Sequence, residues 1–309
     1  MGLDLNTDFE FENIPLESEG DGFLCATLIK SKLNNKSKKA VLYIHGYIDY
    51  FFHPHVADKF HEYGFEFYAI DLRRYGRSLQ EGNKPNFCSH INEYFEEIDV
   101  AIDRIKKNNE NIYLLGHSTG GLIASSYMNE GGYKKYIKGL ILNSPFLEIN
   151  QSSILTRVVY SVVKTMGWFF PNGFSNKGLS PIYAESVHAD FKGEWRFNLK
   201  WKPIKGYPVY FKWFLAIVEA QKRLADSKIK IPILLLHSGA SLIPKKHSKE
   251  VFVKDTVLNV EDMKRIGPTL GENVKLIAIQ NGMHDLFLSM KDVRENAFKE
   301  MFDWLRVYE

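Results

Sequence analysis

The stretch Ile112-Tyr113-Leu114-Leu115-Gly116-His117-Ser118-Thr119-Gly120-Gly121-Leu122-Ile123-Ala124-Ser125-Ser126-Tyr127-Met128 changes character in mid-course. Ile112 to Leu115 is a short, continuous apolar run of buried-strand type, whereas Thr119 to Met128 is small and apolar, suited to a helix packed closely under a sheet. Between them, Gly116-His117-Ser118-Thr119-Gly120 sets a serine with a glycine two residues to either side, the pattern of a sharp strand-to-helix turn. A side chain at the apex of such a turn projects above the sheet, and the flanking glycines remove the β-carbons that would collide there. Ser118 is therefore the candidate nucleophile.

Working outward, similar apolar runs recur at Ala40 to Ile44, Phe65 to Ile70, Ile137 to Leu142, Ile231 to Leu236 and Val274 to Ile279. Strands apolar on both faces are what a parallel sheet covered by helices requires. Ile91 to Ile105 and Val293 to Val307 carry the three-and-four spacing of amphipathic helices. Two further strand-like segments, Phe9 to Leu16 and Phe23 to Ile29, flank a turn at Glu19 to Gly22 and predict an opening antiparallel hairpin. The alternation predicts an α/β architecture with a mostly parallel, doubly wound sheet. One stretch breaks it. Residues 146–229 are crowded with aromatics, among them Trp168, Trp195, Trp201 and Trp213, and show a clear helical period only from Val209 to Arg223. An insertion at that point reads as a cap over a site, with 1–145 and 230–309 forming the core; a helical subdomain with an ordinary core is the plainer alternative.

The bulk numbers bound the function. A chain of 309 residues, 45% hydrophobic and 25% charged, folds as one or two ordinary globular units. Its 40 basic and 37 acidic residues leave a formal charge of +3, too little to predict a nucleic-acid partner. Cys25 and Cys88 are far apart and fit neither a disulfide framework nor a zinc spacing, so a reducing cytoplasmic location is expected. The longest apolar stretch, Ile154 to Phe174, is interrupted by Arg157, Lys164 and Pro171, and no stable membrane span is expected. His45, His53 and His55 cluster, the last two in an expected loop with Pro54 between them, and no carboxylate spacing supports ligation, so neither a metal nor another cofactor is predicted.

A serine hydroxyl near its ordinary pKa needs a histidine to take its proton and an acid to orient that histidine. His284, in Asn281-Gly282-Met283-His284-Asp285 after the last apolar run, stands where the general base belongs in the order serine, acid, histidine. The acid is expected just after the run Ile231 to Leu236, yet His237-Ser238-Gly239-Ala240-Ser241 holds no carboxylate. Asp255, in Asp255-Thr256-Val257-Leu258, is favoured once an inserted loop of Leu242 to Lys254 is allowed for, with Glu250 and Glu261 as alternatives. Two backbone N–H groups would hold the developing oxyanion: Thr119, after the serine, and Tyr47, in His45-Gly46-Tyr47.

Together with Arg74-Tyr75-Gly76-Arg77-Ser78, Asn143-Ser144-Pro145-Phe146, Gly193-Glu194-Trp195 and Trp201-Lys202-Pro203, these motifs resemble the monoacylglycerol lipase and lysophospholipase branch of the α/β-hydrolases, the serine aminopeptidase S33 or hydrolase-4 group. The resemblance covers nearly the whole chain and departs from the family pattern only in the missing carboxylate after the strand. It implies an α/β-hydrolase fold and a serine hydrolase that cleaves lysophospholipid, monoacylglycerol or simple acyl esters through an acyl-enzyme on Ser118. A peptidase or amidase of the S33 type, and a non-catalytic binding member of the fold, are the other readings.

Overall fold

The computed structural model describes residues 4–17, 22–33, 36–149, 153–170, 172–176 and 178–308. Its strands are β1 (Phe9–Leu16), β2 (Leu24–Ser31), β3 (Lys39–Ile44), β4 (Glu66–Asp71), β5 (Asn111–His117), β6 (Ile137–Asn143), β7 (Phe174–Ser175), β8 (Val209–Tyr210), β9 (Ile233–Ser238) and β10 (Val274–Ile279). Its α-helices are α1 (Pro54–Glu62), α2 (Phe95–Ile105), α3 (Thr119–Glu130), α4 (Ser153–Phe169), α5 (Pro181–Val187), α6 (Phe211–Arg223), α7 (Val260–Ile266) and α8 (Lys291–Leu305). Eight strands form one sheet in the order β1-β2-β4-β3-β5-β6-β9-β10. From β4 to β10 all neighbours pair parallel, while β1 and β2 pair antiparallel with each other and β2 with β4. The expected hairpin is thus present, although its turn lies, apart from Gly22, outside the described residues.

Side chains alternate across the sheet as the pleat demands. Ala40, Leu42 and Ile44 of β3, with Leu114 and Leu142, meet α2, α3, α6 and α7 on one face. Val41 and Tyr43, with Leu115, Leu234 and Leu236, meet α1 and α8 on the other. Each central strand is consequently apolar on both faces, which is why the sequence runs were continuous. β10 differs: most of its residues are partly exposed, because it is an edge strand paired only with β9.

Two local features depart from the sequence reading. His53-Pro54-His55 is no loop; Pro54 opens α1, where its missing N–H costs nothing and its fixed φ suits the first turn. The segment between β6 and β9 also holds more regular structure than its aromatic crowding disclosed, namely α4, α5, α6 and the two-stranded ladder β7–β8. Trp213, Ile217 and Ala220 of α6 join the main core.

Candidate active site

Ser118 sits between β5 and α3 with φ 52° and ψ −118°, a conformation few non-glycine residues adopt. The turn is possible because the residues two places to either side, Gly116 and Gly120, carry no side chain. A β-carbon on Gly116 would come within 2.6 Å of the Gly120 carbonyl oxygen, and one on Gly120 would strike the carbonyls of Ile44 and His45. The Ser118 N–H is spent on the Asn143 carbonyl at 3.0 Å, tying the turn to the end of β6.

His284 lies in the loop after β10, with Nε2 3.0 Å from Ser118 Oγ and Nδ1 2.9 Å from Asp255 Oδ2. Since a carboxylate only accepts, Nδ1 carries the proton and Nε2 faces the hydroxyl as acceptor. Asp255 Oδ1 accepts the N–H groups of Val257 and Leu258, both at 2.8 Å, so the carboxylate is fixed from both ends. The intervening loop 242–254 is pinched shut at its base, where Asp255 N donates to Ala240 O and Leu242 N donates to Asp255 O. The insertion is an excursion that returns the acid to the end of β9. Glu250 and Glu261 are exposed and paired with Lys254 and Lys264.

The second loop at the site is Gly46 to Asp49. A β-carbon on Gly46 would lie 3.1 Å from Ser118 Cβ, so this backbone runs directly beside the serine. His45, kept neutral by burial, accepts from Leu72 N at 3.0 Å and donates to Gly46 O at 2.8 Å. Ile48 has φ 51°, rare for a β-branched residue and a costly one to hold. Tyr47 stacks on Trp213 with ring centroids 4.0 Å apart. Thr119, first in its helix, has no carbonyl one turn behind it for its N–H. Tyr47 and Thr119 both line the cavity above Ser118, which measures about 310 Å³.

Sequence reasoning gave no role to a buried polar cluster behind the histidine. Asp285 accepts from Asn143 Nδ2 at 2.8 Å and Phe287 N at 3.0 Å, and its other oxygen lies 3.3 Å from His53 Nε2. Burial alone would raise the Asp285 pKa, yet His117, His53 and the Asn143 amide hold it well below the usual carboxylate range. Burial drives His117 the other way, down to about 4. The clue was Asn143-Ser144 and His284-Asp285, polar pairs set at the ends of apolar runs. From the segment between β6 and β9, Trp195 donates Nε1–H to Leu288 O at 2.9 Å and stacks on His55, bracing the loop that carries His284. Lys202 Nζ meets Asp49 Oδ1 at 2.6 Å. Among the described residues no group of three His, Cys, Asp or Glu side chains could hold a metal ion, and no helix is long and apolar enough to cross a membrane.

Residues 35–288 match the family model described as serine aminopeptidase, S33. A Schizosaccharomyces pombe protein bearing the monoglyceride lipase name is 28% identical over 117 residues, 37% of this chain and 31% of that one. Phospholipase YtpA of Bacillus subtilis is 24% identical over 162 residues, 52% of this chain and 61% of that protein. The chain therefore spans less than two thirds of either of these relatives. Monoglyceride lipase of Saccharomyces cerevisiae is 21% identical over 88% of this chain and 85% of its own. A crystal structure of a soluble variant of that lipase with a substrate analog superposes with a TM-score of 0.69 at 16% identity, covering 97% of each chain. The last likeness establishes the fold.

Proposed function

The chain belongs to the serine aminopeptidase S33 family of α/β-hydrolases, within its monoglyceride lipase-like branch, and from that premise we propose that it hydrolyses carboxylic esters through an acyl-enzyme on Ser118. The observation that carries the reading is the buried line Asp255, His284, Ser118, joined at 2.9 and 3.0 Å. In this reading His284 Nε2 takes the Ser118 proton as Oγ attacks the ester carbonyl, and Asp255 stabilises the resulting imidazolium. The N–H groups of Tyr47 and Thr119 receive the negative oxygen. His284 returns the proton to the departing alcohol, and a water activated by the same ring then frees the acid.

The wall of the cavity supports an apolar acyl group. Phe146, Ile149, Leu179, Trp213, Phe214 and Leu258 line it, several of them from residues 146–229, which act as a cap in this reading. Its only acidic lining residue among those described is Asp49, already bound to Lys202. An aminopeptidase needs a free anion for the substrate's terminal ammonium, so esters are favoured over peptides. Lipid esters of the kind named for the relatives, such as monoacylglycerols, fit this wall.

The test is a series of p-nitrophenyl esters from acetate to palmitate, with a fluorophosphonate probe alongside. Each added methylene that stays buried is expected to raise kcat/KM by up to about fourfold, from roughly 0.8 kcal/mol per group, until the cavity fills. Ser118→Ala is expected to abolish turnover and labelling. Turnover indifferent to that substitution, or an inert wild-type protein, would dismiss the esterase reading.

A further inference from the structure

Asp49 stands in an otherwise apolar run, Tyr47-Ile48-Asp49-Tyr50-Phe51-Phe52, and its carboxylate is buried. One oxygen accepts from Gly46 N at 3.4 Å, the other from Lys202 Nζ at 2.6 Å. Lys202 comes from 153 residues away and is itself buried, its ammonium lying 4.8 Å from the Phe52 ring and 5.2 Å from the Phe197 ring. A lone carboxylate here would be doubly unfavourable. It would sit desolvated, and its negative charge would lie beside the N–H groups that are to receive a negative oxygen, where low dielectric magnifies the repulsion. Yet an acceptor is needed, because the strained turn at Ile48 persists only if its surroundings fix it.

We infer that Lys202 is a positioning residue for the oxyanion loop: it holds and neutralises Asp49, which can then brace Gly46 and Tyr47 without opposing charge build-up on the substrate oxygen. The inference rests on the esterase reading, and it adds a role for a cap residue that does not belong to the Asp255–His284–Ser118 line. The surroundings agree. Asn198 N donates to Tyr50 OH at 2.6 Å, and Tyr47 OH reaches Pro208 O at 3.4 Å, so the chain on both sides of Lys202 grips the same loop.

The test compares wild type, K202M and D49N/K202M on one p-nitrophenyl ester, with thermal midpoints measured in parallel. Methionine keeps the apolar stem, and asparagine keeps an acceptor for Gly46 without charge. K202M is expected to lose about tenfold or more in kcat, with KM within about twofold, as for a weakened oxyanion site. D49N/K202M is expected to regain most of that loss and to fold even if K202M does not. Wild-type kcat in K202M, or a folded double variant as slow as K202M, would overturn the inference; a wild-type protein that turns over nothing would instead strike the esterase reading.

Discussion

The rim of loops around Ser118 and the outer helix α4 are built by opposite means. At the rim, polar side chains are buried and nearly every one is held by a directional bond: Asp255 by two backbone N–H groups, His45 by Leu72 and Gly46, Asp49 by Lys202. On α4, Val158, Val162 and Met166 are 56%, 53% and 40% exposed at four-residue spacing, an apolar stripe facing outward. Its inner side meets α6 by packing, Gly167 against Leu215 and Tyr160 under the Lys222 ammonium. Directional bonds fix atoms to fractions of an ångström, which proton transfer demands; packing fixes only shape and volume. The contrast predicts that conservative changes at the rim cost far more than drastic ones on α4.

The largest effect is expected from Asp255→Asn. The amide oxygen can still accept from Val257 and Leu258, so the loop should hold, but an amide N–H in place of Oδ2 would push His284 to the wrong tautomer. By analogy with the same change in other triads, kcat should fall about ten-thousandfold with little change in the thermal midpoint. A loss below about tenfold would move the acid elsewhere and remove the rim's claim to tight geometry.

The next effect concerns pH. Burial holds His117 down to about 4 and His55 down to about 3. In the unfolded chain such rings take up a proton near pH 6.5. Between that value and about 4 the unfolded state therefore binds more protons than the native state, and stability falls as pH drops through this window. For His117 alone the full loss is about 3 kcal/mol, read as a falling urea midpoint. The carboxylates of Asp285 and Asp49, both held low, add their own losses at still lower pH, as they finally protonate. A midpoint flat from pH 7 to about 4.5 would mean that the rim is wetter than its contacts imply.

How much of this was legible follows from what sets each element. The central strands and the turn at Ser118 are dictated locally, by continuous apolar runs and by Gly116 and Gly120, so they could be read directly. The family order likewise brought out His284 and Asp255, which the fold joins to Ser118 from 166 and 137 residues away, the first by a direct hydrogen bond and the second through the histidine. Lys202 and Asp49 were not legible as partners, because their meeting depends on how the chain between β6 and β9 folds back. Asp285 hid in the same way beside a better-known neighbour. α4 escaped because its apolar positions occur on both its packed and its exposed sides, which blurs the period by which an amphipathic helix is recognised.

That blurred period supplies the smallest effect, and the sharpest test of the contrast. Replacing Val158 and Val162 together by serine removes exposed methyl groups and leaves no cavity, so the thermal stability should change by no more than about 0.5 kcal/mol for each site. Turnover of a short, soluble ester should also stay within about twofold, since neither side chain lines the cavity and no bond runs from them to the loops carrying Ser118, His284 or Tyr47. Two polar substitutions on one helix would then matter less than the exchange of a single oxygen for nitrogen at Asp255. If instead the serine pair slowed the soluble ester as much as Lys202→Met does, α4 would have to be coupled to the rim through α6, and the division between a bonded rim and a merely packed exterior would fail.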